Sequence, residues 1–578
     1  MASKTVKIFA VILVILMILF GIMVFALFQL IRPPKVQVLN DSVLELSVGG
    51  EVTELPSSSP LGQLMGQGEI SLFDMRRLFL GAAKDENISA VYLKIYPLLA
   101  DWADVEEMRS FIHEFRESGK KIYVYLSLDL VNEIELYLVS SADEIYLNPD
   151  SALMINGLAA EFTFFKKMMD KLGIQPDVLQ FKEFKSAESF TRSELTPKVR
   201  SMYESILADI QFRFVQTIAH ERQIEVQRIN ELLQRGLLTA QSALREQLVT
   251  HLGYEDEIRT RLEVENTNGE KDYHGIRASE YLKALNQKVR PSSKHRVAVL
   301  GGIGPILTGQ GDATWGSFMG GDSMVSKLRE IRQDKKVKGL LFRVNSPGGS
   351  AVGSDKIWRE IRLMEEVGKP VVVSMGGVAG SGGYYIAMGA RKIVAHPSTI
   401  TGSIGVIFQK FNLNRLFDRW LGITVDRVKL AKNADIFSPT TSLTVQQKTQ
   451  LKAWMSNIYK QFVKKAAEGR HLTVEELEKQ AGGRIFTGNQ AKERKLVDEV
   501  GGLNVALDLL KQELNISPKE RVELVLYPKP KNLWTRLLEG NWPQLSTPPQ
   551  SFESFLRQHL SAMRYPGPWL IAPELIIH

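Results

Sequence analysis

A serine set among glycines, Gly380-Ser381-Gly382-Gly383-Tyr384-Tyr385, follows the run VVVSMGGVA, and Asn345-Ser346-Pro347-Gly348-Gly349-Ser350 follows GLLFRV in the same manner. Glycine lets a backbone N–H approach a ligand with no Cβ in the way, and a helix starting at such a turn adds its positive end. Turns of this kind can build an oxyanion hole. Either one alone reads as a tight strand-to-helix connection, but two in one predicted sheet point to an aimed nucleophile, Ser381. Ala379 stands two positions before the serine, so this is not the nucleophile elbow of α/β-hydrolases.

A serine nucleophile needs a base, and histidine is the usual one. The nine histidines are scattered, and His396, in VAHPS at a strand end, reads as a structural residue on a surface turn. The other option is a lysine whose pKa, ordinarily about 10.4, is lowered by burial until the neutral amine can take the serine's proton. With no cysteine in the chain, disulfides, thiolate metal sites and cysteine catalysis are excluded.

The elements that must position these groups repeat at a spacing near 249 residues. In the first half, SVLELSVGGEVTEL, ISAVYLKI, SGKKIYVYLS and YLVSSADEIYLNP carry strand patterns. The second half answers with RVAVLGGIGPILTG, VKGLLFRV, VGKPVVVSMG and YYIAMGARKIVAHP. Helical patterns such as Asp322 to Gln333 and Ser354 to Val367 lie between them, and strands alternating with helices predict βαβ units and a parallel sheet in each half. The expected organisation is a first α/β repeat over 40–260, a polar linker over 261–290, a second repeat over 291–527 and an irregular, proline-rich tail over 528–578.

With these motifs together, the chain resembles the long, two-domain form of the signal peptide peptidase A (protease IV) family. The resemblance rests on an N-terminal apolar anchor, FKSAESF, RVNSPGG, GSGGYY and PSTITGSIGV in that order, over roughly residues 1–525. It implies α/β architecture made of tandem duplicated ClpP/crotonase-like domains behind an N-terminal transmembrane helix. The implied activity is that of a serine endopeptidase that degrades cleaved signal peptides and other short hydrophobic or unfolded peptides through a Ser-Lys dyad and an acyl-enzyme. By the same resemblance Ser381 matches the nucleophile, Lys185 in Phe184-Lys185-Ser186-Ala187 the general base, and Ser403 in Thr401-Gly402-Ser403-Ile404-Gly405 a hydroxyl that positions the lysine. The N–H groups of Gly348 and Gly382 match the oxyanion donors, with Gly349 as an alternative to Gly348. No cofactor or metal is implied, and the expected partners are peptides, signal-peptide remnants among them, and further copies of the chain in a homo-oligomer, a tetramer by resemblance.

The repeat bears on the lysine independently. A shift of 249 sets Lys185 opposite Ala434, the position that resembles the catalytic lysine of short single-domain relatives, while Asn132 or Glu133 falls where Ser381 would be and Pro97-Leu98-Leu99 replaces Ser-Pro-Gly-Gly. One half keeps the lysine and the other the serine. Lys432, two residues from the register, is the rival base.

Ile8 to Leu30 carries no charge, and as a helix it would span about 35 Å at 1.5 Å per residue, enough for a bilayer core of about 30 Å. It lacks the short apolar run and small-x-small site of a cleaved signal peptide. The expectation is a cytoplasmic segment 1–7, an anchor over 8–31 and catalytic domains on the periplasmic side of a bacterial inner membrane, since Lys4, Lys7 and the amino terminus outweigh Arg32 and Lys35. The net charge of +7 comes from 72 basic and 65 acidic residues that are interspersed, with no basic stripe for nucleic acid. Readings from other classes are an acyl-thioester-binding protein of the crotonase type and an inactive membrane scaffold.

Overall fold

The computed structural model describes residues 36–56, 70–185, 187–265, 271–288, 293–311, 318–528 and 569–571. In the first half, strands Ser42–Glu51, Ile88–Leu99, Lys121–Leu126 and Glu144–Leu147 lie side by side and parallel. Val91 sits opposite both Leu44 and Ile122 and is fully buried, because a parallel sheet is covered on both faces and its strands read as nearly continuous apolar runs. Helix Leu72–Lys84 covers one face with Leu72, Met75, Leu78, Phe79 and Ala82 at helical spacing, and the Ser71 side chain caps it by accepting from the Asp74 N–H.

The second half repeats the plan. Strand Val337–Ser346 lies between Arg296–Ile303 and Val371–Gly380, all parallel, with Ile400–Gly402 and Lys392–Ala395 both pairing to Val371–Gly380. The expected helices appear as Gly321–Gln333 and Ala351–Glu366, each a residue or more earlier than the pattern suggests.

Of residues 261–290, expected as a linker, the described ones, 261–265 and 271–288, belong instead to the first half. Gly275–Arg277 is the edge strand beside Ser42–Glu51, and helix Ala278–Gln287 buries Ala278, Tyr281, Ala284 and Leu285 in the same core. The polar stretch ENTNGEKD masks an apolar i, i+3, i+6, i+7 face just beyond it. The apolar run Ile8–Leu30 lies outside the described residues, and among those described no helix is long and apolar enough to cross a membrane.

Two of the contacts between the halves position the site. Arg343, fully buried, donates from Nε to Glu54 at 2.7 Å and from Nη1 to Glu107 at 2.9 Å, so two first-half carboxylates meet one second-half guanidinium. His396 is buried here rather than on a surface turn, with Nε2 2.8 Å from Glu107. Burial raises the Glu107 pKa, but His396 and Arg343 outweigh it and hold the carboxyl at about 2. The second joint is a mixed sheet in which first-half strand Gln175–Phe181 pairs antiparallel with second-half Val406–Asn412, Phe181 opposite Val406 and Gln175 opposite Asn412.

Candidate active site

That mixed sheet gathers the motifs. Its order is Met319–Gly320, Ile306–Leu307, Gly348–Ser350, Trp569–Ile571, Val406–Asn412 and Gln175–Phe181. Gly348–Ser350 is the first glycine turn, Val406 follows the Thr401–Gly405 motif, and the chain leaving Phe181 runs directly to Lys185. The short strand Trp569–Ile571 lies antiparallel along the glycine turn, with Ile571 opposite Gly348, Leu570 opposite Gly349 and Trp569 opposite Ser350. It also meets Ile407 through Trp569.

Ser381 ends strand Val371–Gly380 and is the N-cap of helix Gly382–Ala387. Its backbone is strained, with φ 55° and ψ −112°, a region a non-glycine residue enters only when its surroundings impose it. Here its N–H is held by the Gly402 carbonyl at 2.8 Å and its carbonyl by the Tyr385 N–H at 2.8 Å. The side chain is buried.

Lys185 crosses from the other half, 2% exposed. Its Nζ lies 2.7 Å from Ser381 Oγ, 2.8 Å from Ser403 Oγ and 3.2 Å from the Ser403 carbonyl oxygen. Burial alone pushes the amine well below the ordinary lysine range. Among the described residues no carboxylate bonds to it and no cluster suited to a metal ion exists. Lys432, the rival, is exposed and donates to Gln446 at 2.8 Å.

Ser403 also has a positive φ, 53°, and its N–H donates to the Arg484 carbonyl at 2.7 Å. Gly382 and the first glycine turn touch: a Cβ on Gly382 would lie 3.0 Å from both Gly348 Cα and Gly349 N and 2.7 Å from Ser354 Oγ. Gly348 gives its N–H to Ser346 Oγ at 3.2 Å, and Gly349, with φ 148°, leaves no room for a Cβ, which would fall 2.0 Å from the Ile306 carbonyl oxygen.

Two features were not singled out from the sequence. Gly483, φ 90°, packs against the Lys185 backbone so closely that a Cβ would sit 2.3 Å from its nitrogen, and Gly482 accepts from the Phe184 N–H at 3.0 Å. The signal was the pair in Ala481-Gly482-Gly483-Arg484, which carries no chemistry of its own. Asn345, inside RVNSPGG, accepts from the Val378 N–H at 3.1 Å and donates to Glu54 at 2.8 Å, bracing the strand that ends at Ser381. Glu54 has no motif around it.

Residues 114–268 and 364–517 each match peptidase family S49. The chain belongs to that family. It is a serine peptidase built from two S49 units in tandem, one contributing Lys185 to this site and the other Ser381. It is 31% identical over 514 residues to "Serine protease SPPA, chloroplastic" of Arabidopsis thaliana, covering 88% of this chain and 74% of that relative. "Protease 4" of Salmonella typhi is 33% identical over 484 residues, covering 80% of this chain and 77% of that protein. "Putative signal peptide peptidase SppA" of Enterococcus faecium is 36% identical over 201 residues, 35% of this chain and 58% of that one.

Proposed function

We propose that this S49 peptidase is a membrane-anchored endopeptidase in which Ser381 is the nucleophile, Lys185 the general base and Ser403 the hydroxyl that positions the lysine. The observation carrying the reading is the 2.7 Å contact between Lys185 Nζ and Ser381 Oγ at a site where burial depresses the amine. The neutral amine takes the hydroxyl proton as Oγ bonds to the scissile carbonyl carbon. Ser403, through Oγ and its carbonyl, stabilises the ammonium formed. The Gly382 N–H and the Gly348–Gly349 turn donate to the developing oxyanion, where preorganised donors contribute most. The ammonium returns its proton to the leaving amine as the C–N bond breaks, leaving an ester on Ser381. Water then gives a proton to Lys185 and attacks the ester, and the ammonium passes that proton to Ser381 Oγ as the C–O bond breaks, releasing the acid and restoring the serine and the neutral amine.

Extended peptides are the proposed substrates, including remnants of cleaved signal peptides. The supporting observation is the slot between Gly348–Ser350 and Val406–Asn412, which accepts an antiparallel strand beside the glycine turn. Anchoring through residues 8–31, with the catalytic halves outside the cytoplasm, rests on the apolar run and its flanking charges.

A fluorophosphonate probe tests the dyad. Wild type is expected to label, and Ser381→Ala to lose labelling together with about four to six orders of magnitude in peptide hydrolysis, as for a nucleophile in a unit that acts together. Hydrolysis near the wild-type rate in Ser381→Ala would remove Ser381 from the mechanism. A phosphatase reporter fused after Gln550 should be active, and its silence beside a fluorescent cytoplasmic fusion would reverse the topology.

A further inference from the structure

The two glycine turns beside Ser381 open two different helices. Gly348–Ser350 leads directly into Ala351–Glu366, and Ser381 is the N-cap of Gly382–Ala387. Two N–H groups stabilise one developing oxyanion only when their separation matches the oxygen they share, since such donors contribute by being set in advance. The turns touch, Gly382 against Gly348 and Gly349, with no room for a Cβ between them. Contact of bare backbone stops the turns from closing further, but it does not stop them from parting. Some other group must hold the two helix starts together.

Tyr385 does so one turn further on. Its N–H donates to the Ser381 carbonyl at 2.8 Å, which makes it part of the nucleophile turn, and its hydroxyl donates to Asp355 Oδ1 in the other helix at 2.7 Å. Lys465, from helix Val445–Arg470, donates to the same carboxylate oxygen. Its ammonium stands 3.8 Å from the centre of the Trp358 ring and 5.6 Å from that of Tyr385. Trp358 meets the Tyr385 ring edge-on at 6.5 Å and Phe462 tilts against it at 4.7 Å, so a carboxylate, an ammonium and two rings fix one buried phenol. Burial, and then the Asp355 carboxylate, raise the phenol above its ordinary pKa of about 10, so it stays a donor through neutral and mildly alkaline pH.

The chain contains its own control. The repeat sets Tyr137, Glu106 and Thr217 against Tyr385, Asp355 and Lys465. Ring packing persists in the first half, where Tyr137 lies 6.1 Å from Phe214, yet Glu106 accepts instead from the Ser398 N–H at 2.9 Å and the Ser398 hydroxyl at 2.7 Å, and Thr217 carries no charge. The half without the nucleophile keeps the packing and lacks the tie, so this pair of helices folds without it. We propose that Tyr385, Asp355 and Lys465 are positioning residues that set the separation of the Gly348–Gly349 and Gly382 donors, and with it the strength with which the site holds a tetrahedral oxyanion. The inference rests on the oxyanion role given to those turns above. The three side chains hydrogen-bond to one another and to none of Ser381, Lys185 or Ser403, so they act through the turns.

Kinetics of the full chain in detergent test the tie. Tyr385→Phe, which keeps the ring, and Asp355→Asn should each lower kcat about ten- to a hundredfold, part of the loss of about a hundred- to a thousandfold that removing a whole oxyanion donor causes, with KM within about twofold of wild type. The double variant should lose no more than the worse single one, because both cut the same tie. Lys465→Arg should recover most of what Lys465→Met loses, and Tyr137→Phe, in the half without the serine, should leave kcat within about twofold. A peptide aldehyde reads the oxyanion directly: Ser381 Oγ bonds to its carbonyl carbon, the π pair becomes the oxyanion and the hydroxyl proton passes to Lys185. Tyr385→Phe should weaken its binding by the factor lost from kcat, and leave the matching peptide alcohol, which has no carbonyl at that carbon, bound as in wild type. Aldehyde and alcohol weakened alike, kcat unchanged in both single variants, or Tyr137→Phe as damaging as Tyr385→Phe would overturn the proposal. A wild type that binds the aldehyde no more tightly than the alcohol would overturn the oxyanion role of the turns, and this inference with it.

Discussion

Replacing Lys185 by methionine separates the two consequences of burying an amine. The lysine is 2% exposed with three oxygens and, among the described residues, no carboxylate bonded to its Nζ, and burial lowers its pKa well below the ordinary value. Below the folded-state pKa, folded and unfolded chains both carry the proton, and stability does not respond to this group. Between that pKa and about 10.4 the folded amine is neutral while the unfolded one is charged, so unfolding takes up one proton and stability rises with pH. The slope is about 1.4 kcal/mol per pH unit, and above about 10.4 it vanishes. Lys185→Met lacks this slope, and subtracting its melting curve from that of wild type cancels every other titration. For a domain of this size the difference in midpoint should grow by roughly 3–6 °C per pH unit. The constant offset depends on how Ser381 and Ser403 satisfy their hydroxyls without the amine, but the slope does not. The same proton governs activity: kcat/KM should rise tenfold per pH unit and level off at the folded-state pKa, where the stability slope begins. A midpoint difference flat from pH 7 to pH 10, or a kinetic plateau more than about one unit from the onset of the slope, would refute the argument that one buried, neutral Lys185 underlies both.

Lys432→Ala should keep wild-type peptidase activity in a fluorogenic peptide assay, since its amine is engaged with Gln446 at the surface. Gly483→Ala should lose at least about a hundredfold in kcat while staying folded by circular dichroism. Its Cβ would displace the Lys185 backbone, and small misplacements of a catalytic group cost that much. Arg343→Met should destabilise the chain by about 3–5 kcal/mol in denaturant unfolding, because it leaves the Glu54 carboxylate buried without its counter-charge and Glu107 with His396 alone. Ending the chain after Pro528 frees the Gly348–Ser350 edge from strand Trp569–Ile571, and KM for short peptides should fall several-fold, an unchanged KM meaning that peptides do not use that edge.

What the sequence made legible was local. The β-branched runs ending in glycine turns pointed to Ser381 and the Gly348–Gly349 turn because strand, turn and helix start are contiguous. The serine's strained φ and its anchoring by the Gly402 carbonyl are consistent with that reading. Lys185 was reachable only through the resemblance and the repeat, since nothing in FKSA says that the chain has just left a strand belonging to the other half's sheet. The Glu54–Arg343–Glu107 brace was not legible at all: its members are 53 and 236 residues apart, and a charged residue in a strand reads as solvent-facing until its partners are known. His396 was placed wrongly for the same reason, and the 261–290 segment because a polar turn was allowed to speak for the helix after it.

Duplication explains why the site is divided as it is. A joining strand that carries Lys185 into the neighbouring repeat makes the site from two units. Once two units are fused, the joint within the chain forms at an effective concentration set by the connection and needs no encounter between molecules. The Lys185–Ser381 contact at that joint forms whenever the chain folds. Ala434 stands where the second half would carry a lysine and Asn132 where the first half would carry a serine, so the Lys185–Ser381 pairing is made at the joint within the chain.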